Sequence, residues 1–109
     1  MKVQVDASIF SKAEGSIGMV SGQVELASVP PIGSKICFSR PVNTTMFPII
    51  EGFVGHLMVE DVLFRPSDKD IAATVMLADI LVSTLADARK LAEYMETGFG
   101  LYYDEFDSH

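Results

Sequence analysis

His56 is the side chain in this sequence best suited to proton transfer, because imidazole changes its charge close to neutral pH. Glu60 follows four residues later in the same run of strand-forming residues and shares its strand face. Four residues span about 13 Å of an extended strand, which is too far for direct acid–base pairing. One hypothesis is therefore a small-molecule-binding or enzymatic barrel domain, with a pocket at His56 and Glu60 and a carboxylate from a neighbouring strand.

The other carboxylates and the one thiol do not form a catalytic or metal-binding pattern. Residues 66–70 have the composition of a turn, and strand pairing centred on them places Asp61 opposite Val75 and away from Asp79. Cys37 is the only cysteine and lies between two apolar residues, which predicts a buried structural thiol. The sequence therefore predicts no metal site and no cofactor, and it favours a non-catalytic role.

The chain is acidic, with eight basic and fifteen acidic side chains and a net charge of −7. Such a charge argues against nucleic acid or an anionic membrane as a partner. No apolar run approaches the roughly 18 residues of a membrane span, and the first residues lack the apolar core of a signal peptide. We expect a cytoplasmic protein.

Aromatic side chains cluster among the acidic residues of the C-terminal segment, and they form the candidate partner-binding set: Tyr94, Phe99, Tyr102, Tyr103 and Phe106. Tyrosine is favoured at interfaces because it combines a large contact area with a polar end and little side-chain entropy. The leading hypothesis is a protein-interaction or regulatory domain that binds an unknown protein through this segment. A third hypothesis is an acidic inhibitor or immunity-type protein that blocks a basic active site.

The elements that must position these residues follow from periodicity. Apolar and polar residues alternate from residue 2 to residue 10, and further strands are expected at residues 16–29, 35–39, 53–65 and 71–82. A helix is expected over residues 85–96, with Thr84 as its N-cap and Gly98 as its C-terminal cap. Residues 100–106 form either a short edge strand or an aromatic tail.

This order of strands followed by a helix predicts one α+β domain over residues 1–109. We expect a strongly bent antiparallel sheet of about five strands, similar to a small barrel, with the C-terminal helix packed on it. The strand at residues 71–82 is apolar on both faces, and such strands are usually covered on both faces. Because one helix covers only one face, we expect a homodimer through this strand or through the C-terminal segment.

Overall fold

The computed structural model describes residues 1–41, 43 and 46–106. Within these residues the chain forms seven strands and one helix, in the order β1 (Lys2–Ser11), β2 (Gly15–Glu25), β3 (Lys35–Cys37), β4 (His56–Phe64), β5 (Ala73–Leu77), β6 (Ile80–Val82), α1 (Leu85–Phe99) and β7 (Tyr102–Glu105). The strands lie in the order β3-β4-β5-β1-β2-β7, and β6 pairs with β1 beyond the end of β5. The expected combination of a sheet with one C-terminal helix is confirmed.

Three details of the predicted sheet are wrong. There are seven strands rather than five in the described chain, and the sheet is neither closed nor strongly curled. It is also mixed, because β5 and β6 run parallel to β1. The strand count differs for two reasons. The expected strand at residues 71–82 is interrupted at Ala78 and Asp79, where one extra residue shifts its register against β1, and the C-terminal segment adds β7.

Gly18 of β2 lies beside a β-bulge, because Ile9 of β1 lies opposite Gly18 whereas Phe10 lies opposite Ser16. A Cβ atom on Gly18 would lie 2.3 Å from the backbone oxygen of Asp104, so this glycine allows the backbone of β7 to approach β2 closely. β7 pairs antiparallel with β2 from Gly18 to Ser21. The C-terminal segment is therefore an edge strand and part of the sheet.

The hairpin of β4 and β5 is present, with a register that differs by one residue from the simplest expectation. Asp61 lies opposite Met76 rather than Val75, and a bulge at Glu60 restores the expected pairing at Val59. Asp68 fixes the turn, since its Oδ1 accepts hydrogen bonds from the backbone N–H groups of Asp70 and Ile71 at 2.8 and 2.9 Å.

Helix α1 begins as predicted and ends later. The Thr84 hydroxyl accepts a hydrogen bond from the Asp87 N–H at 3.1 Å. The C-terminal cap is Gly100, with a left-handed φ of 71°, whereas Gly98 is buried within the helix. No helix among the described residues is long and apolar enough to cross a membrane.

One face of the sheet carries the hydrophobic core. α1 packs there against the inward side chains of β1, which are Val3, Val5, Ala7 and Ile9. An aromatic group fills the space beside the helix, with Phe38, Phe47, Phe53, Tyr94 and Phe99 in edge-to-face or stacked contact. In the described chain the opposite face has no covering helix.

Candidate functional site: the open face of the sheet

We call the sheet face opposite α1 the open face. Its side chains alternate with the buried ones along β1 and β6, as a strand requires. Thr74 of β5 also lies on this face but is buried, and its hydroxyl accepts a hydrogen bond from Nε of Arg65 at 2.9 Å. On β5, Met76 is 42% exposed, whereas its neighbour Val75 is completely buried. On β6, Leu81 is 48% exposed and follows Ile80, which is also buried. The expected burial of this apolar strand on both faces is therefore not met by the described chain.

The strand register gives these two residues different neighbours. Leu81 lies next to Phe10 of β1, whereas Met76 lies between Asp6 of β1 and Asp61 of β4. The exposed or half-exposed apolar residues of this part of the face form what we call the apolar band, consisting of Phe10, Met58, Leu63, Met76 and Leu81. Exposed apolar side chains on an uncovered face of a sheet make that face a candidate interaction surface.

A polar corner adjoins the apolar band at the β2–β7 side of the open face. Gln4, Ser21, Gln23 and Tyr102 line a shallow depression of about 350 Å³. Gln4 donates a hydrogen bond through Nε2 to Oδ1 of Asp6 at 3.1 Å, which partly satisfies the one carboxylate that β1 places on this face. The open face therefore combines an apolar band with hydrogen-bonding groups at one end.

The structure separates the five aromatic residues of the predicted partner-binding set. Tyr94 is buried and donates its hydroxyl to the backbone oxygen of Phe38, and burial raises the pKa of Tyr94. Phe99 is half-buried in edge contact with the same aromatic group. Both side chains belong to the packing around α1, and Tyr94 is too deeply buried to contact a partner at the surface.

The other three aromatic residues lie on or next to β7. Tyr103 turns towards the core side and donates its hydroxyl to Oε1 of Glu105 at 2.8 Å; its pKa is raised by burial and by this hydrogen bond. Tyr102 projects on the open face and is 78% exposed, and Phe106 is partly exposed just beyond the strand. Tyr102 is the residue of the predicted set that the open face presents.

β7 is held rigidly against the rest of the molecule. The guanidinium of Arg89 on α1 donates two hydrogen bonds to the carboxylate of Glu105, each at 3.0 Å. The backbone N–H of Tyr103 donates to Oε1 of Glu96 at 3.1 Å, so a helix side chain occupies one outward donor of this edge strand. Tyr102 is thus presented by a fixed backbone.

His56 and Glu60 are not brought together. Glu60 lies at the bulge of β4, and the cross-strand neighbour of His56 is Cys37. The flanking hydrogen bonds, from Phe38 N–H to Gly55 at 2.6 Å and from Val59 N–H to Ser34 at 2.8 Å, show that this pair is the non-hydrogen-bonded type. Side chains of such pairs lie closest together, with Cβ atoms roughly 4.5–5.5 Å apart.

The expectation that Cys37 is buried is wrong. Cys37 is exposed, because its two apolar neighbours point to the other face of β3. Its Sγ lies 3.0 Å from Oγ of Ser39, and hydrogen bonding with Ser39, with a smaller contribution from Arg40, lowers the pKa of the thiol. The alternation along β3 carried this signal in the sequence, whereas the partner strand that supplies His56 was not predictable from local pattern.

Comparisons with known proteins add no further constraint. No protein-family model, curated protein or solved structure matches the chain. Among the described residues, no group of three or more histidine, cysteine, aspartate and glutamate side chains has the geometry to hold a metal ion. Function is therefore argued from the open face and from the pair formed by Cys37 and His56.

Proposed function

We propose that this chain is a non-catalytic protein-interaction domain that binds through the open face of its sheet. One observation carries the proposal: the apolar band lies on a face that no helix of the described chain covers. The open face carries Tyr102 from the C-terminal segment, and Met76 and Leu81 from the apolar strand expected at residues 71–82. A protein partner and a homodimer are both accommodated by this face.

Tyr102 supplies a preorganised contact at the edge of the face. Its strand is fixed by the pairing with β2 and by the ion pair between Arg89 and Glu105. A partner therefore gains a large aromatic contact with no entropic cost of ordering the backbone that carries Tyr102. Asp104, two residues along the same strand face, favours a partner with basic groups at this edge.

The experiment is site-specific photo-crosslinking with the full chain. A photoreactive phenylalanine analogue replaces Tyr102 in one variant and Met46 in another. Met46 is a matched control because it is 87% exposed but lies beside Lys90 and Glu93 of α1. We expect covalent adducts between this chain and one partner protein, with a single defined mass, from position 102 and none from position 46. Equal adducts from both positions, or adducts from position 46 alone, would contradict the proposal.

Deletion of residues 100–109 is a poor test of the same idea. Leu101 is buried, and β7 is paired with β2 along its length. Removing the segment exposes core and loses a strand, so lost binding would not be distinguishable from lost structure. Single substitutions at Tyr102 avoid this problem because its side chain makes no buried packing contact.

A second candidate function is a small-molecule-binding or enzymatic role for Cys37 and His56. The exposed Cys37 thiol, whose pKa is lowered, lies opposite His56 on the adjacent strand. It retains the hypothesis of a small-molecule or enzymatic role for His56. The test is the rate of alkylation by iodoacetamide as a function of pH, in the wild type and in His56→Gln. A profile that is identical in both proteins would remove His56 from the chemistry of the thiol.

A further inference from the structure

We infer that a cleft between the end of β2 and β3 binds an extended peptide segment, which pairs with the backbone of β3 as an added strand. We call this cleft, which lies between residues 23–26 and residues 36–38, the edge cleft. Its volume is about 270 Å³. The inference goes beyond the proposed function, because it concerns a surface other than the apolar band and recognition through backbone hydrogen bonds.

β3 forms one wall of the edge cleft and has an unpaired edge. Its pairing with β4 is fixed by the hydrogen bond from the Phe38 N–H to the Gly55 carbonyl at 2.6 Å. Because successive residues of an antiparallel strand point their backbone groups to opposite sides, those of Lys35 and Cys37 point away from β4. No residue of the described chain bonds to these N–H and C=O groups. Such an edge is a template for another strand.

The end of β2 forms the other wall and has the same kind of edge. The Leu26 N–H donates to the Met1 carbonyl at 2.8 Å, so the backbone groups of Leu26 point towards β1. By the same alternation, those of Gln23 and Glu25 point away from β1. β7 does not reach them, because its pairing with β2 ends at Ser21. Two strand edges without backbone partners in the described chain therefore line one cleft.

The floor of the edge cleft is apolar and belongs to the core side of the sheet. Val24, Ile36 and Phe99 are half-buried there and pack against the core. Phe38 lies beneath them, with its ring in edge contact with that of Phe99 at 5.1 Å. A second depression, of about 490 Å³, continues along β3 and shares Ile36 with the edge cleft. The apolar floor is thus part of an elongated groove that follows the unpaired edge.

The dimensions and the backbone groups select an extended segment as the occupant. A strand fills about 160 Å³ per residue, from its rise and its spacings, so the two depressions hold on the order of four residues. A helix bonds its own backbone groups internally and would leave both edges unpaired. An added strand satisfies them and turns every second side chain towards Val24 and Ile36, so the segment should carry apolar residues at alternate positions.

Selection of random peptides displayed on phage, with the full chain as the target, provides the probe. We expect enriched peptides whose apolar residues alternate with polar ones. Each is synthesised, and its dissociation constant is measured by fluorescence anisotropy. The absence of any binding peptide would overturn the inference, and so would a set of peptides whose apolar residues recur only at helical spacing.

Two substitutions at Lys35 separate backbone recognition from side-chain recognition. Lys35→Pro removes the outward N–H and leaves the neighbouring hydrogen bonds to β4 in place, as proline on an edge strand does. We expect it to raise the dissociation constant about tenfold, because the added strand loses a hydrogen bond and meets the ring. Lys35→Ala is the matched control, which keeps the N–H and should bind as the wild type does. Equal weakening by both variants, or by neither, would overturn strand pairing.

Amide hydrogen exchange of the wild type gives a second readout that depends on no variant. With saturating peptide, we expect exchange at the Lys35 and Cys37 amides to slow by about tenfold or more, because each gains a hydrogen-bond partner. Ile36, whose backbone groups point towards β4, is the internal control and should change little. Unchanged exchange at Lys35 and Cys37 in the peptide complex would overturn the inference, even if Lys35→Pro failed to fold.

Discussion

Tyr94 is buried and Tyr102 is exposed, so exchanging Tyr94 for phenylalanine should lower stability whereas the same exchange at Tyr102 should leave it almost unchanged. Tyr94→Phe keeps the aromatic contacts with Phe47 and Phe99 and removes only the hydroxyl that bonds to the Phe38 carbonyl. Leaving a buried carbonyl without its partner costs about 1–3 kcal/mol in the free energy of unfolding. For a chain of this length, that corresponds to a fall in Tm of about 4–13 °C.

Urea denaturation of the wild type and the two variants measures this difference. We expect Tyr94→Phe to unfold at lower urea with an unchanged m value, and Tyr102→Phe to stay within about 0.5 kcal/mol of the wild type. Burial raises the pKa of Tyr94, so the neutral phenol is favoured in the folded state. The wild type should therefore lose stability as pH rises above the ordinary tyrosine value of 10.0, and Tyr94→Phe should lose less.

The reasoning is refuted if Tyr94→Phe has the stability of the wild type, since its hydroxyl would then not be buried in a hydrogen bond. It is also refuted if Tyr94→Phe reduces the adducts formed from position 102 at a temperature where both proteins are fully folded. That result would return Tyr94 to the partner-binding surface predicted from the sequence.

Three further substitutions test the parts of the fold that support the open face. Gly18→Ala should destabilise the protein and increase hydrogen exchange in β7, because the new Cβ meets the backbone oxygen of Asp104. Arg89→Met should leave the midpoint of thermal denaturation close to that of the wild type, because the ion pair with Glu105 is solvent-exposed and screened; a large fall in Tm would contradict that. Backbone hydrogen bonds lower the pKa of Asp68, so its stabilising contribution is present above the ordinary value of 3.8 and is lost as pH falls through the lower folded value. Asp68→Asn should remove this acid-dependent part of the unfolding profile, and an unchanged profile would exclude Asp68 as its source.

Local pattern was sufficient for the elements whose signal lies within one segment. The alternation of β1 correctly gave the buried set from Val3 to Ile9, and the capping pattern correctly began α1 at Leu85 after Thr84. The turn between β4 and β5 was also evident, because its composition is distinct from that of both flanking strands. In each case the residues that determine the structure are close in sequence.

Features that depend on distant partners were not predictable in the same way. The parallel pairing of β5 and β6 with β1 joins residues about 70 positions apart, and nothing in either segment specifies the direction of the other. Tyr94 was placed with the C-terminal aromatic residues because of its acidic neighbours, but its side chain is buried and bonds to Phe38, which is distant in sequence. The pairing of Cys37 with His56 likewise depends on which strand lies beside β3.

The most direct test of the open face as the binding surface uses the methionine methyl groups as probes. Met58 and Met76 lie in the apolar band, Met95 is completely buried, and Met46 is exposed beside α1. In methyl NMR spectra of the wild type with and without the protein crosslinked at position 102, we predict that the signals of Met58 and Met76 shift on binding while those of Met46 and Met95 stay constant. A shift at Met46 on binding, with Met58 and Met76 unchanged, would contradict the account.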